Sequence, residues 1–549
     1  MGIEQKSLDE KKENKKFLLM ERIVLAVIAA AARFPLMYIF FGSADMKNEL
    51  PITRLIFAHD GGPFVLPYPY FPLVGMFSWL SGWLTIVTNL PISFCYKLIP
   101  CFFDILLVLL VYDIAKISLS KKKTFFVGLA CALAPVPLLV NGIHFQWDSI
   151  VLFLLVFSFY LRDYFVPSWL TQLCFGIFFA LAFFFKPYAA MFGLFFFTPY
   201  KTFRVTLGRL WLHSMCVAAI GVVACVLFFI VFKTTRLSLF EGLWYVAPVF
   251  ASLVAWIFFV LVKLRPWREW PDEFVRYLGL QAIAVVGALS CAVVVCIVLH
   301  YFGFSILGIV DFILRYANQG APQCGLPFAV PFSLFPLSVI LKNRVWLLAL
   351  IGCIAHRYYR GRFDLWTSIL LSFTVVLGFA GIYAPYLQWP CVFFLLAQFY
   401  RSAVIYNLLA AVYLFLFCVH PLSNGRFPYQ NILSFAALRN FSWLMPSPFF
   451  TQDYFVSVLS VLGNYWIPFF CIGVTWHGFS CGAFAEVPQR KKEQFFLLRN
   501  GYIGVLTVIF CGVGLCWLAV DQANLVVRFD AAVGHKVAWY KTCEERREE

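Results

Sequence analysis

Charge is scarce in this sequence. Only 13% of its 549 residues are Asp, Glu, Lys or Arg, against about 25% in soluble domains, which excludes a water-facing globule of this length. Acidic groups are the scarcer sign, 27 beside 43 basic ones. Catalytic signatures with fixed spacing are missing as well. There is no P-loop, no GxGxxG opening a helix after a strand, no HExxH and no Ser-His-Asp spacing, so cytosolic ATP or sugar-nucleotide chemistry has no visible site. The 17 cysteines form no CxxC pair and no Cys/His zinc pattern. Cys101, Cys131, Cys174, Cys216, Cys225, Cys291 and Cys296 lie inside apolar runs and read as small apolar filler. Cys324 and Cys543 are expected on the oxidising side, with no pairing assigned.

Apolar residues are abundant: 62% of the chain is hydrophobic and mean hydropathy is +0.83. Runs of about 20 mainly apolar residues, the length of a membrane span, recur along it. They are continuous and not alternating, which argues against a β-barrel. The expected fold is all-α, a polytopic transmembrane helix bundle of about 13–15 spans with short outer-face surface helices. A net charge of +16 raises the question of nucleic acid. The basic residues, however, gather in the N-terminal tail and in short loops on one face, such as Lys121 to Lys123, Lys201 to Arg209 and Arg357 to Arg362. That is positive-inside bias; the partner it implies is a lipid bilayer and not nucleic acid.

The basic clusters set the topology. Residues 1–22 form a cytoplasmic tail without an evident cleavage site, so the span from about Ile23 to Phe41 is expected to remain as a signal anchor. Residues 23–520 read as a single transmembrane domain with an outer loop at 42–69, and 521–549 as a C-terminal tail outside. Tyr70 to Leu90 is expected to lie along, or dip into, the outer surface. Phe125 to Val140 should run out to NGIHFQWDS, Ile150 to Leu161 back to Arg162, Leu170 to Phe185 out to Lys186, and Tyr188 to Thr198 back again. No soluble domain and no internal repeat is visible. Asn440-Phe441-Ser442 is a glycosylation sequon on the outer face, meaningful in a eukaryote. The membrane expected is that of the endoplasmic reticulum or the bacterial inner membrane.

The outer loops carry the richer chemistry, and polar groups at a membrane edge are functional candidates by default. Asp45, in SADMKNE just beyond the first span, could take a proton from an attacking hydroxyl or cap the next helix. Tyr68-Pro69-Tyr70-Phe71-Pro72 is a stiff aromatic connection suited to the interface. His144, Gln146, Trp147 and Asp148 cluster at a hairpin end, where they could bind a sugar or phosphate, or Asp148 could cap IVLFLL. Lys186 interrupts AFFFKPYAAMF and wants an anion, either a lipid phosphate or an acidic partner, unless it snorkels to water. Arg315 either pairs with Asp311 four residues earlier or meets a phosphate. Tyr383, Tyr386 and Gln388 sit in IYAPYLQWP, positioned to stack on or hydrogen-bond a sugar, or to belt the interface. Asp104 and Asp113 share one span and suggest a proton or ion path, with Asp113 expected to be wet.

Taken in order, these segments resemble the GT-C superfamily of integral membrane glycosyltransferases. An acidic first outer loop precedes YPYFP, which resembles that superfamily's Tyr-Pro-Pro-like turn, with Tyr70-Phe71 separating prolines that the family often has adjacent. NGIHFQWDS is similar to its His/Gly-Gln-aromatic-Asp turn, FFKPYAAMF to its Lys-Pro or Lys-Gln turn, and IYAPYLQWPCVFFLL to its late turn, with Ala384 where His or Arg often stands. The resemblance covers roughly the first 200 residues plus that late turn. It implies a GT-C-like fold, a polyprenyl-phosphate sugar as donor, a lipid-linked or other glycan acceptor, and inversion at the anomeric carbon. Asp45 would be the general base. Glu49, Asp60, Tyr68, His144, Gln146, Asp148, Tyr386 and Gln388 would line the substrate, with Lys186 and Arg315 on the lipid phosphate. Some members use a divalent cation between carboxylates and others do not; here Asp45 and Glu49, one helical turn apart, would share it. The rival readings are a transporter or flippase for a lipid-linked sugar or small anion, for which Asp104 and Asp113 are the best support, and a non-catalytic scaffold.

Overall fold

The computed structural model describes residues 2–39, 49–50, 53–54, 56–57, 72–197, 272–301, 344–379, 384–419, 466–480, 502–506, 508–509 and 525–534. Among the described residues every element is helical and none is a strand. In chain order the α-helices are α1 (Gly2–Ile39), α2 (Pro72–Thr88), α3 (Ile92–Ser118), α4 (Lys121–Ala132), α5 (Asp148–Tyr164), α6 (Trp169–Phe185), α7 (Asp272–Tyr301), α8 (Arg344–Tyr359), α9 (Leu365–Phe379), α10 (Gln388–Leu396), α11 (Tyr400–Val419), α12 (Ile467–Ser480) and α13 (Leu525–Gly534). A π-helical stretch, Leu138–His144, precedes α5, and a 3-10 helix, Pro187–Phe195, follows α6.

Three stretches among the described residues are long and apolar enough to cross a membrane: Ile92–Ser118, Lys121–His144 and Arg276–Val295. With the composition, they make the chain an all-α membrane protein. Their surroundings differ. The most apolar window of α3 is 78% buried and that of α7 only 28%, so α3 is a central post of the bundle and α7 lies at its margin. α6 and α7 touch at Gly176, which faces Ala284, and at Gly287, which faces Leu173. A Cβ on Gly176 would come within 1.9 Å of the Ala284 carbonyl oxygen, and one on Gly287 within 2.4 Å of that of Leu173. Small residues at a crossing let two apolar helices reach backbone contact where lipid offers no hydrophobic drive.

Prolines and caps set the breaks. The stretch expected as one span from Phe125 to Val140 is interrupted: α4 ends at Ala132, Pro135 starts a single turn, and the π-helix follows, since a proline cannot donate within a continuing helix. Ser168 opens α6 with a capping box, its side chain accepting from the Thr171 amide while Thr171 accepts from the Ser168 amide. Pro187 closes α6 beyond Lys186, whose own backbone is extended. Where a return span from Tyr188 to Thr198 is expected, the chain forms a 3-10 helix up to Phe195, whose rise of about 2 Å per residue lets few residues cover much depth.

Buried ion pairs tie the bundle at two levels. At one end, Arg22 lies 3.3 Å from Asp113, and the Tyr502 hydroxyl donates to that carboxylate at 2.9 Å. Asp113, expected to be wet, is 4% exposed; it sits beneath Arg22 and Tyr502, and water does not reach it. α5 arrives at the same end, where Phe157 packs on Tyr502 and Arg162 donates to Asp163, to the Phe195 and Phe196 carbonyls and to the Tyr358 hydroxyl. At a second level, Arg33 Nε donates to Asp104 Oδ2 at 2.6 Å and Nη1 to the Ala29 and Ala132 carbonyls, joining α1, α3 and α4. Asp104 thus has a fixed cationic partner.

The helix expected along the outer surface is α2, and its inner face is buried through Leu73, Val74, Phe77, Ser78, Trp79, Ser81 and Thr85. It packs on α3 and receives α13 from the C-terminal region. There Arg54 Nε reaches both oxygens of Asp530, at 3.0 and 3.1 Å, and Phe57 meets Phe529 edge-on at 5.3 Å. Cys95, Cys101, Cys131, Cys291, Cys391 and Cys471 are buried free thiols, in keeping with their reading as filler.

Candidate functional site

The site begins with a turn that the chain holds against its preference. Phe145 has φ 73°, a left-handed conformation uncommon outside glycine and costly for a bulky side chain. Its amide donates to the Val140 carbonyl at 2.9 Å, and its ring is packed edge-on between Tyr96 and Trp147. The turn ends the π-helix at His144, which is buried, and delivers Gln146, Trp147 and Asp148 to the start of α5.

Asp148 was open to two readings, a helix cap or part of a site. Trp147 holds the N-cap position and no side chain caps the helix. The Asp148 carboxylate turns to the rest of the bundle: Oδ2 accepts from Lys186 Nζ at 2.6 Å and Oδ1 from Trp389 Nε1 at 2.8 Å. Lys186 Nζ also reaches Gln146 Oε1 at 3.4 Å and stands 5.2 Å from the centre of the Tyr386 ring. The anion that Lys186 wants is therefore supplied from within the chain. Asp148 and Lys186 are both almost fully buried, so their attraction is little screened.

A second Gln-Trp pair lies opposite the first. Gln388 and Trp389 open α10, as Gln146 and Trp147 precede α5. Trp389 donates to Asp148, whereas Trp147 Nε1 donates to Glu49 Oε1 at 3.1 Å. Gln146 accepts from Lys186, and Gln388 Oε1 accepts from Asn141 Nδ2 at 3.2 Å. Each turn thus presents one indole to a carboxylate and one side-chain carbonyl to a donor. Glu49 is fully buried and also accepts from the Ser78 hydroxyl of α2. Thr53, one turn on, bonds the Glu49 carbonyl at 2.9 Å and Tyr96 at 2.5 Å.

Seven of the expected site residues are described, namely Glu49, His144, Gln146, Asp148, Lys186, Tyr386 and Gln388. They come from four separate stretches of sequence: Lys186 contacts Gln146, Asp148 and Tyr386 directly, Glu49 reaches the turn through Trp147, Gln388 bonds Asn141, and His144 ends the helix leading into the turn. Asp45, Asp60, Tyr68, Arg315 and Tyr383 lie outside the described residues. Sequence reasoning passed over Asn141, Ser78 and Trp389. The repeated Gln-Trp dipeptide, in HFQWD and YLQWP, was a signal for the last of these. Among the described residues no group of three or more His, Cys, Asp or Glu side chains is placed to hold a metal ion. Glu49 is the described half of the expected carboxylate pair, and its oxygens are engaged by Ser78 and Trp147.

No family model and no curated protein matches this chain in sequence. Among solved structures it is similar to the archaeal oligosaccharyltransferase AglB from Archaeoglobus fulgidus, determined in complex with an inhibitory peptide and a dolichol-phosphate. The two share 14% identity at a TM-score of 0.30, over 86% of this chain and 57% of that one. The chain therefore spans a little over half of that protein's length, and a superposition at this level does not establish a common fold.

Proposed function

We propose that the chain is a GT-C-type membrane glycosyltransferase that moves a hexose from a polyprenyl-phosphate sugar to a lipid-linked or other glycan acceptor on the lumenal or periplasmic face. The observation that carries this reading is the meeting of the HFQWD turn, Lys186 and the YLQWP turn around one buried charge pair. Three turns that resemble one superfamily in sequence order meet in space, which supports reading them as one site.

In this reading the acceptor hydroxyl attacks the anomeric carbon, the bond from that carbon to the phosphate oxygen breaks, and the configuration inverts. Asp45 takes the hydroxyl proton. The polyprenyl phosphate departs with the bonding electrons, its charge stabilised by Lys186 and Arg315. Asp148 and Gln146 hold the Lys186 ammonium in place before substrate arrives, so no reorganisation is needed at the moment of reaction. The buried helices keep water from competing with the acceptor. The transport reading is weakened, because Asp104 and Asp113 are each held by an arginine.

The test is transfer by the reconstituted full chain from dolichyl-phosphate hexoses. Asp45→Asn should abolish transfer while leaving thermal unfolding unchanged. Full activity in that variant would reject the assignment of the base.

A further inference from the structure

Asn141 and Gln388 are two bonded, buried amides of this region whose hydrogen bonding stays incomplete. Both are buried, at 0% and 1% exposure. One bond joins them, Asn141 Nδ2 to Gln388 Oε1. Asn141 Oδ1 and Gln388 Nε2 then have no partner among the described residues. The count does not depend on how the amides are assigned. Exchanging oxygen and nitrogen in both residues preserves the bond and again leaves one acceptor and one donor, while exchanging them in one residue alone would set like atoms together. Buried amide groups are nearly always satisfied, so this pair has the capacity to bond one further group that both donates and accepts.

We infer that Asn141 and Gln388 form a hydroxyl-reading subsite for the sugar ring of the lipid-linked donor. This rests on the glycosyltransferase reading above and names two residues that would set its sugar specificity. A complement to the pair must accept from an NH2 and donate to a carbonyl. A hydroxyl does both. A phosphate would accept from the amide but face the carbonyl oxygen with its own negative charge, and an ammonium would meet the reverse conflict. The pair therefore selects neutral polyol chemistry, distinct from the charged Lys186 and Asp148. Its position suits the division of labour, because Gln388 adjoins Trp389, whose indole binds the carboxylate that holds Lys186. A phosphate near Lys186 would bring its sugar towards the amides.

The test uses the full chain in lipid nanodiscs with dolichyl-phosphate glucose, mannose and galactose, and with analogues of the best donor lacking each ring hydroxyl in turn. Asn141→Leu and Gln388→Met remove the amides at nearly constant volume; Asn141→Asp and Gln388→Glu serve if the apolar variants fail to fold. Each variant should lower kcat/KM on the best donor about tenfold, the value of one hydrogen bond. One deoxy donor should lose the same factor in the wild type and nothing further in the variant. Unchanged kcat/KM in the variants, or losses that multiply independently with every deoxy donor, would overturn the subsite while leaving the glycosyltransferase reading standing. If the wild type transfers no sugar, that reading falls, and protection against thermal unfolding by the same lipids and by methyl hexosides decides the subsite. Protection lost in the amide variants retains it; no protection of the wild type, or equal protection of all variants, ends it.

Discussion

Lys186 Nζ and Asp148 Oδ2 lie 2.6 Å apart, 38 residues apart in sequence and both out of contact with solvent. Breaking such a pair from one side leaves an uncompensated buried charge, a loss of about 3–5 kcal/mol, whereas replacing both members with apolar residues is often tolerated. Lys186→Met and Asp148→Asn should therefore each lower the midpoint of thermal unfolding in detergent, and Lys186→Met combined with Asp148→Leu should recover most of the loss. All three should lack transfer activity. Recovery of activity in the double variant would show that the pair serves the fold alone.

Trp389 offers a finer probe of the same carboxylate. Trp389→Phe removes the indole donor to Asp148 and keeps most of the ring packing against Phe373 at 4.9 Å. A hydrogen bond to a charged group contributes about 1.5–3 kcal/mol, and a loss in that range is expected on unfolding. Trp147→Phe should behave likewise through Glu49. A double-mutant cycle between Trp389→Phe and Asp148→Asn should show coupling, and additive effects would place the indole bond outside the energetics of the site.

Much of this was legible in the sequence, for reasons that differ by element. The apolar runs announce helices because a membrane leaves few other ways to satisfy the backbone. HFQWD, Lys186 and YLQWP stand out because polar groups among apolar ones are expensive and so rarely idle. What could not be read was which polar group meets which. Asp104 and Asp113 suggested an ion path because their partners, Arg33 and Arg22, lie on another helix, 71 residues away in the case of Arg33 and Asp104. Asp148 looked like a cap because helix starts favour Asp, and only the tertiary position of Lys186 turns its carboxylate away. Asn141 gave no local signal, since its importance lies in Gln388, 247 residues further on.

Arg33 and Asp104 give a prediction that separates structure from transport. Arg33 is fully buried, and its guanidinium ties its own helix α1, through the Ala29 carbonyl, to α3 at Asp104 and to the last residue of α4, Ala132. Arg33→Met should leave Asp104 stranded and cost about 3–5 kcal/mol, read as loss of folded protein on extraction. Arg33→Met with Asp104→Leu should restore folding and keep transfer activity. Were Asp104 part of a proton or ion path, the double variant would fold and be inactive.

The last prediction concerns sidedness, on which the proposed chemistry depends. Arg54 and Asp530 are paired at 3.0 Å with about a third of each side chain exposed, at 34% and 33%. An exposed pair contributes little energy, so neither Arg54→Gln nor Asp530→Asn should shift unfolding measurably. The pair is informative about place: α13 and the segment carrying Glu49 and Arg54 stand at the same end of the bundle, against α2. α1 enters at the opposite end, where Arg22 meets Asp113, and rises to set Leu36 against Gly142 near the HFQWD turn. Cysteines at 54 and 530 should accordingly react together with an impermeant reagent from the lumenal or periplasmic side. A tag on the N-terminus should be accessible only from the cytosol. Asp45 lies between Ile39, where α1 ends, and the buried Glu49, so the same labelling fixes the side on which the proposed base works. If 54 and 530 label from the cytosol, a lipid-borne sugar on the outer face cannot reach that base.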